Sequence, residues 1–511
     1  MMVAGSTLAG PLQLKAQVVI VGTGAGGSIV AERAAAAGLD VLMLETGAYY
    51  RATDFTQREG EMMRKLYWEA GLRATENGAM AVLHGRAVGG STVVNYLDCF
   101  RTPDRLLNLW KDRHDLPEMA PERMRPRFER IEEILHVAKM DPAQLNANNL
   151  KLKLGAEAMG WKGDTFHRNA KNCFGSGFCD LGCSYNAKQS AALTFIPMAT
   201  AKGARLYTEC RVDRVRFANG RAIGVEGHLL GEDRQSRGTF TVDADCVVVS
   251  GGSIQTPHLL LSSEAEDRSG QIGKNLWVHP ATPVVGHFPG ERIANYEGIK
   301  QGYYIGEFSW VLNEHPTDAL IEGIGAPPGI TSTILPGFGV ERQKDFARYN
   351  EFAATGVLLR DHDAGVVRAG ATRPEVHWTL SDGDARRMKD AIARTAEAYL
   401  AAGAAAVFTG HTRRLILRKP SDFAKLADAG HAPGELGMFC FHQMGTCRMG
   451  SSPDRDVVDP SGRVWAYPNL YVSDASLFPS ASGVNPQLTV YALSDVVSDA
   501  VAGRAWGGGL H

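Results

Sequence analysis

The 511-residue chain has no uninterrupted apolar run of the roughly 18 residues that a membrane-crossing helix needs. It also has no block of like charge. Its 54 lysines and arginines stand against 56 aspartates and glutamates, a formal net charge of -2, which argues against nucleic acid or an anionic membrane surface as partner. The first seventeen residues lack the basic start of a secretory signal. Cysteine is sparse, eight in all, and three of the eight crowd between Cys173 and Cys183, unlike a disulfide framework spread over a large domain. The expectation is a cytoplasmic protein with a small-molecule partner, no nucleic acid and no transmembrane segment, with peripheral membrane contact left open. The length suggests roughly two to four domains.

What is present begins at residues 18–45, VVIVGTGAGGSIVAERAAAAGLDVLMLE. The β-branched run Val18 to Val21 reads as a strand buried on both faces of a parallel sheet. Gly22 permits a tight turn, Gly24 lets the backbone approach a pyrophosphate, and Gly27 permits close helix-on-strand packing, with the helix N-terminus toward the phosphates. A second strand ends in Glu45, 23 positions after Gly22 and suited to a ribose hydroxyl pair. A bound dinucleotide without a 2′-phosphate, FAD or NAD, is the reading.

A second glycine run, GRAVGGSTVVN, spans residues 85–95. Gly89 and Gly90 offer unhindered N–H groups, and Ser91 or Thr92 is placed to cap a helix carrying Val94 and Asn95. Together the two runs resemble the glucose-methanol-choline (GMC) oxidoreductase family, whose G-R-x-x-G-G-S-S/T-x-x-N segment is matched by Gly85, Arg86, Gly89, Gly90, Ser91, Thr92 and Asn95. The resemblance implies FAD rather than NAD, with Arg86, Gly89, Gly90, Ser91 and Asn95 along the cofactor and Val212 passing the adenine.

Between these marks the chain reads as helices over residues 59–70, 121–138 and 144–159, a hairpin turning at Asn219-Gly220, and strands over 355–360 and 375–380. The stretch GIGAPPGITSTILPGFG, residues 323–339, reads as a connector. His279 reads as structural. Cys173, Cys179 and Cys183 lie in a glycine-rich loop; three thiolates with an open corner suit an iron-sulfur cluster better than zinc, which wants four ligands. The run resembles the long-chain alcohol oxidase branch of the family, and its cysteine spacing resembles bacterial dehydrogenases of the family that carry a three-iron cluster. A 3Fe–4S cluster is therefore one expectation, and reduced thiols holding a loop the other.

The last seventy residues contain FHQMGTCRMG, PNLYVSDASLFP and SGVNPQLTVYALSDVV. Alcohol oxidation removes a proton from oxygen and a hydride from the adjacent carbon, so it needs a base and an orienting partner. The resemblance implies that His442 is the base and Asn485 its partner, with Asp474 and Ala475 on the ribityl and pyrophosphate side. Asn485 before Pro486 also has the sequence of a helix N-cap.

The expected fold is α/β: a discontinuous Rossmann-type FAD-binding domain, residues 1–100, 200–287 and 440–511, with an α+β substrate-binding domain on an antiparallel sheet, residues 101–199 and 288–439. The expected activity is FAD-dependent oxidation of a primary or secondary alcohol, long-chain or bulky and lipophilic, to aldehyde or ketone, with oxygen or another electron acceptor. The alternatives are a sugar- or sterol-type dehydrogenase passing electrons through the cysteine loop, and a non-redox flavoenzyme on the same fold.

Overall fold

The computed structural model describes residues 1–504 and Trp506, so the end of the segment 440–511 lies outside the described residues. Two sheets organise the chain. The first has eight strands, in the order Met2–Ala4, Arg205–Thr208, Val41–Leu44, Leu12–Val21, Ser236–Val249, Arg221–Leu230, Cys210–Ala218, with Leu470–Val472 also on Ser236–Val249. Its centre is parallel, with Val18 opposite Val41 and Val21 opposite both Leu44 and Val249. Val18, Val19, Ile20 and Val247 to Val249 are fully buried, as continuous β-branched runs require when helices cover both faces. Each such side chain contributes about 1.5–3 kcal/mol through burial. The helix Ala25–Ala36 packs against Gln487–Ala502 and Phe195–Ala201.

The second sheet has nine strands, antiparallel along the path Ile416–Leu417, Ala406–Thr409, Ala281–His287, Phe352–Leu359, Ala319–Ile324, Tyr303–Ile305, Gly163–Thr165, with Met438–Cys440 and Met80–Val82 at one corner. Its outer face carries the helices Ala147–Met159 and Asp382–Ala401. The strands Met80–Val82 and Ala281–His287, which the sequence places with the FAD-binding domain, pair in this sheet. A short apolar run does not say which sheet it will join.

Several local expectations match in kind and shift in extent. The hairpin turns at Asn219 and Gly220, both at positive φ (50° and 71°), as a two-residue turn between twisted strands demands. The helix expected over 144–159 starts at Ala147, with Asn146 as N-cap accepting from the Asn149 N–H. The helix expected over 59–70 stops at Leu66, because Glu69 and Ala70 take left-handed backbone angles. After Gly89 there is only the 3₁₀ turn Gly90–Val93, not an α-helix. The connector over 323–339 contains a helix, Pro328–Ile334, begun by proline at its first position. No helix among the described residues is long and apolar enough to cross a membrane.

Candidate active site

The strands Leu12–Val21 and Ser236–Val249 end side by side, and a cavity of about 1730 Å³ opens beyond their C-terminal ends, where ligands bind in open α/β sheets. It exceeds the roughly 300–1,000 Å³ of one small-ligand pocket, so cofactor and substrate fit together. Its wall gathers Gly22, Gly24, Glu45, Arg86, Gly90, Ser91, Asn95, Val212, Asp474 and Ala475 with His442 and Asn485. Gly27 and Gly89 act from behind it.

The glycines differ in what they do. Gly22 has φ 99°, and a Cβ there would lie 2.3 Å from the Ser250 carbonyl oxygen. A Cβ on Gly27 would lie 2.1 Å from the Gly22 carbonyl oxygen, and one on Gly26, which sequence reading passed over, 1.8 Å from that of Ser473. A Cβ on Gly24 would meet nothing within 4 Å. Gly24 therefore faces an open cradle at the N-terminus of Ala25–Ala36, the geometry an anionic pyrophosphate needs. Arg86 adds a guanidinium whose Nε is buried without a partner, 5.8 Å from the Trp68 ring, with burial lowering its pKa to about 10. These features fit FAD.

Glu45 is more engaged than sequence suggests. One carboxylate oxygen accepts from the Thr23 N–H (3.1 Å) and hydroxyl (2.7 Å), and the other from the Gly47 N–H (2.8 Å). The Gly89 N–H donates to the same Thr23 hydroxyl at 3.1 Å, which ties the two glycine runs together. Glu45→Gln turns an amide N–H toward one of these donors. The expected result is a loss of about 1–3 kcal/mol, seen as a lower melting temperature and weaker FAD retention. Asp474 is likewise an internal clasp: one oxygen accepts from the Gly252 N–H and Thr256 hydroxyl, the other from the Ser476 N–H and hydroxyl. Asn95 donates its amide to Gln487, leaving its own side-chain oxygen buried and unpaired.

Asn485 is not the expected cap. The helix begins at Gln487 with Pro486 in the N-cap place, and no side chain caps it. Asn485 instead directs its amide N–H toward a Glu322 oxygen at 3.5 Å, and its own oxygen is buried without a partner. The stronger pull is tertiary: Glu322 lies on a strand of the other sheet.

His279, read from sequence as structural, lies against His442. The rings meet edge to face at 5.4 Å, with Nδ1 to Nδ1 at 3.2 Å. His279 Nε2 accepts from the Gly483 N–H at 2.9 Å, so a neutral His279 carries its hydrogen on Nδ1 and donates it to His442 Nδ1. Burial brings His442 down to about 4 and holds His279 well below the ordinary histidine range. Both rings are thus neutral near neutral pH. His84 is a further residue that the sequence did not mark, a buried imidazole with neither nitrogen partnered, stacked at 5.8 Å on Trp68.

The cysteine loop corrects one expectation. Among the described residues, no group of three or more His, Cys, Asp or Glu side chains is placed to hold a metal ion. Cys173, Cys179 and Cys183 border a gap of about 20 Å³, room for roughly one water. Two cations occupy the place a cluster would need. The Lys188 ammonium donates to the carbonyls of Val93, Asn95 and Cys179, and Arg168 Nη1 lies 4.0 Å from the Cys173 sulfur. Iron and acid-labile sulfide assays on the purified protein should find neither; one equivalent of cluster would show that this loop rearranges.

The GMC oxidoreductase family models match residues 63–281 and 362–494. An uncharacterized GMC-type oxidoreductase of Mycobacterium tuberculosis is 33% identical over 500 residues, covering 97% of this chain and 77% of that protein. A long-chain-alcohol oxidase of Arabidopsis thaliana is 29% identical over 517 residues, covering 96% and 68%. Among solved structures, pyridoxine 4-oxidase from Mesorbium loti superposes with TM-score 0.70 at 17% identity, covering 95% and 99%. A formate oxidase from Aspergillus oryzae does so with TM-score 0.72 at 16%, covering 96% and 99%. With its glycine cradle, paired sheets and shared cavity, the chain belongs to the GMC oxidoreductase family, FAD-dependent enzymes that act on CH–OH donors.

Proposed function

We propose that this protein oxidises the hydroxyl of a long-chain or bulky lipophilic alcohol to the aldehyde or ketone, with His442 and Asn485 on the substrate oxygen. The observation that carries this is the meeting of His442 and Asn485 on one wall of a cavity whose adjacent lining is apolar, including Leu83, Leu358, Phe439 and Phe441. In this reading the FAD-binding unit comprises residues 1–100, 200–287 and 440–511, and residues 101–199 and 288–439 cover the substrate. Gly24, the helix N-terminus, Arg86 and Ser91 hold the pyrophosphate side, and Glu45 and Val212 the adenosine side. Bound FAD supplies the two-electron acceptor, and oxygen or another acceptor then takes the electrons.

A neutral imidazole at His442 suits either half of the proton exchange. A lone pair facing the cavity would take the hydroxyl proton, as the sequence reading has it; an N–H would hold the developing oxyanion. Asn485 fixes the same oxygen. The long-chain-alcohol oxidases of Arabidopsis thaliana support an alcohol substrate, and the apolar lining supports a lipophilic one.

The test is the visible spectrum of the purified protein, recorded anaerobically before and after a medium- to long-chain primary alcohol is added. Oxidised flavin bands that bleach are expected. Bands that persist with such alcohols and with sterols would overturn the substrate class, and a protein free of flavin would overturn the reading as a whole.

A further inference from the structure

The hydrogen-bond chain through His279 has a consequence for His442. The Gly483 N–H occupies His279 Nε2, so His279 gives its hydrogen from Nδ1 to His442 Nδ1. A neutral ring has one N–H and one lone pair. With its lone pair engaged at Nδ1, His442 carries hydrogen on Nε2, the nitrogen that has no protein partner in the cavity wall. His442 thus meets a substrate oxygen as a donor. To accept a proton at Nε2 it would need its own hydrogen on Nδ1, which would force hydrogen onto His279 Nε2 against the Gly483 N–H.

Another group must then take the proton. Most carboxyls on the cavity wall are already bound: Glu45 and Asp474 through both oxygens, Glu59 to the N–H groups of Gly329 and Ile330, Glu69 to Arg73 and Asp180 to Lys300. Glu322 differs. It lies on Ala319–Ile324 with its side chain to the cavity, and its neighbour across the ladder, Gly356, has no side chain to cover it. One oxygen accepts from Gln301 and Asn485; the other is buried and has no partner.

Resting on the alcohol-oxidation reading, we propose that Glu322 is the catalytic proton acceptor, and that His442, fixed as a donor by the positioning residue His279, holds the substrate oxygen. The O–H bond breaks and its proton passes to the free Glu322 oxygen. The C–H bond breaks with its electron pair, the hydride leaving to the flavin, and the carbonyl forms. Asn485, already bonded to Glu322, sets the acid beside the oxygen it receives from.

The surroundings of Glu322 give this step a pH signature. Burial raises its pKa, against the hydrogen bonds from Asn485 and Gln301. Asp98 is raised well above the usual range by burial and by the Glu322 charge, against Arg168 and Lys188. The remaining groups about Glu322 are uncharged: Gln301, Asn485, its cross-strand neighbour Tyr304, and the neutral rings of His279 and His442. Because the active form is the carboxylate and its pKa is raised, the rate rises with pH beyond the ordinary carboxylate range.

The experiment is anaerobic stopped-flow reduction of the holoenzyme by a primary alcohol across pH, in wild type, Glu322→Gln and His442→Ala, with infrared pH titration of the same proteins. Wild type should show the rising limb and a carboxylic C=O band that disappears along it. Glu322→Gln should lose both limb and band and slow by about 10²- to 10⁴-fold, with FAD bound. His442→Ala should be slow yet keep the limb. A limb that survives in Glu322→Gln and vanishes in His442→Ala would return the base role to His442 and overturn the proposal. Should Glu322→Gln lose FAD, Glu322→Asp is read instead: a displaced limb supports the assignment, and an unmoved one refutes it. Failure of wild type to bleach would strike the alcohol-oxidation reading, a result distinct from these.

Discussion

Replacing His442 with alanine should slow anaerobic flavin reduction by about 10²- to 10³-fold while FAD stays bound. The size follows from losing one preorganised donor to an oxygen that gains negative charge as the hydride leaves. The site is buried, and the imidazole, held neutral by that burial, is aimed by His279 before substrate arrives. Nothing reorganises at the moment of reaction, so the donor is worth more than in water. Cofactor retention follows from distance along the fold: the glycine cradle, Arg86 and Glu45 belong to the first sheet and its loops, and none bonds to His442. The measurement is the ratio of reduction rates, with the flavin-to-protein absorbance ratio as control. Reduction within a few-fold of wild type would remove His442 from the chemistry.

Valine at Gly24 and alanine at Gly27 should fail in opposite ways. A Cβ at Gly24 meets nothing within 4 Å, so Gly24→Val should fold and melt much as the FAD-free parent does. Its branched side chain enters the cradle at the helix N-terminus, so the protein should purify without flavin and bind added FAD at least about 100-fold more weakly, about 2.7 kcal/mol. Gly27→Ala puts a Cβ 2.1 Å from the Gly22 carbonyl oxygen, backbone that cannot move without breaking the turn. It should lose soluble, folded protein rather than affinity alone. Flavin content and the far-ultraviolet melt of each variant separate the outcomes. A Gly24→Val protein holding stoichiometric FAD would show that the pyrophosphate does not approach this residue.

These predictions draw on different levels of information. Gly22, Gly24, Gly27 and the buried run at Val18 to Val21 were legible because sterics and side-chain alternation act over a few residues. The Asn219-Gly220 hairpin was legible for the same reason, since its twist requires two positive φ angles in succession. Glu45 and Asp474 were recognisable as positions but not in their hydrogen bonds, because Thr23, Thr256 and Gly252 reach them through turns whose path the sequence does not state. Glu322 carried a faint signal, a lone acid in the apolar strand ALIEGI, which needs a reason to be buried. The cysteine spacing misled because spacing ignores what else arrives: Lys188 and Arg168 bring two cations to the loop.

By itself, the sequence determined the dinucleotide cradle, the paired architecture and the segments that meet the cofactor, because local conformation and burial pattern depend on neighbours in the chain. Only the tertiary structure decided that His279 sets the hydrogen on His442, that Asn485 turns from its helix to Glu322, and that the cysteine loop closes around lysine and arginine. His279 and His442 are 163 residues apart, and so are Glu322 and Asn485. A buried polar group must take whichever partner the packed strands bring within about 3 Å, and that choice exists only once the sheets have met.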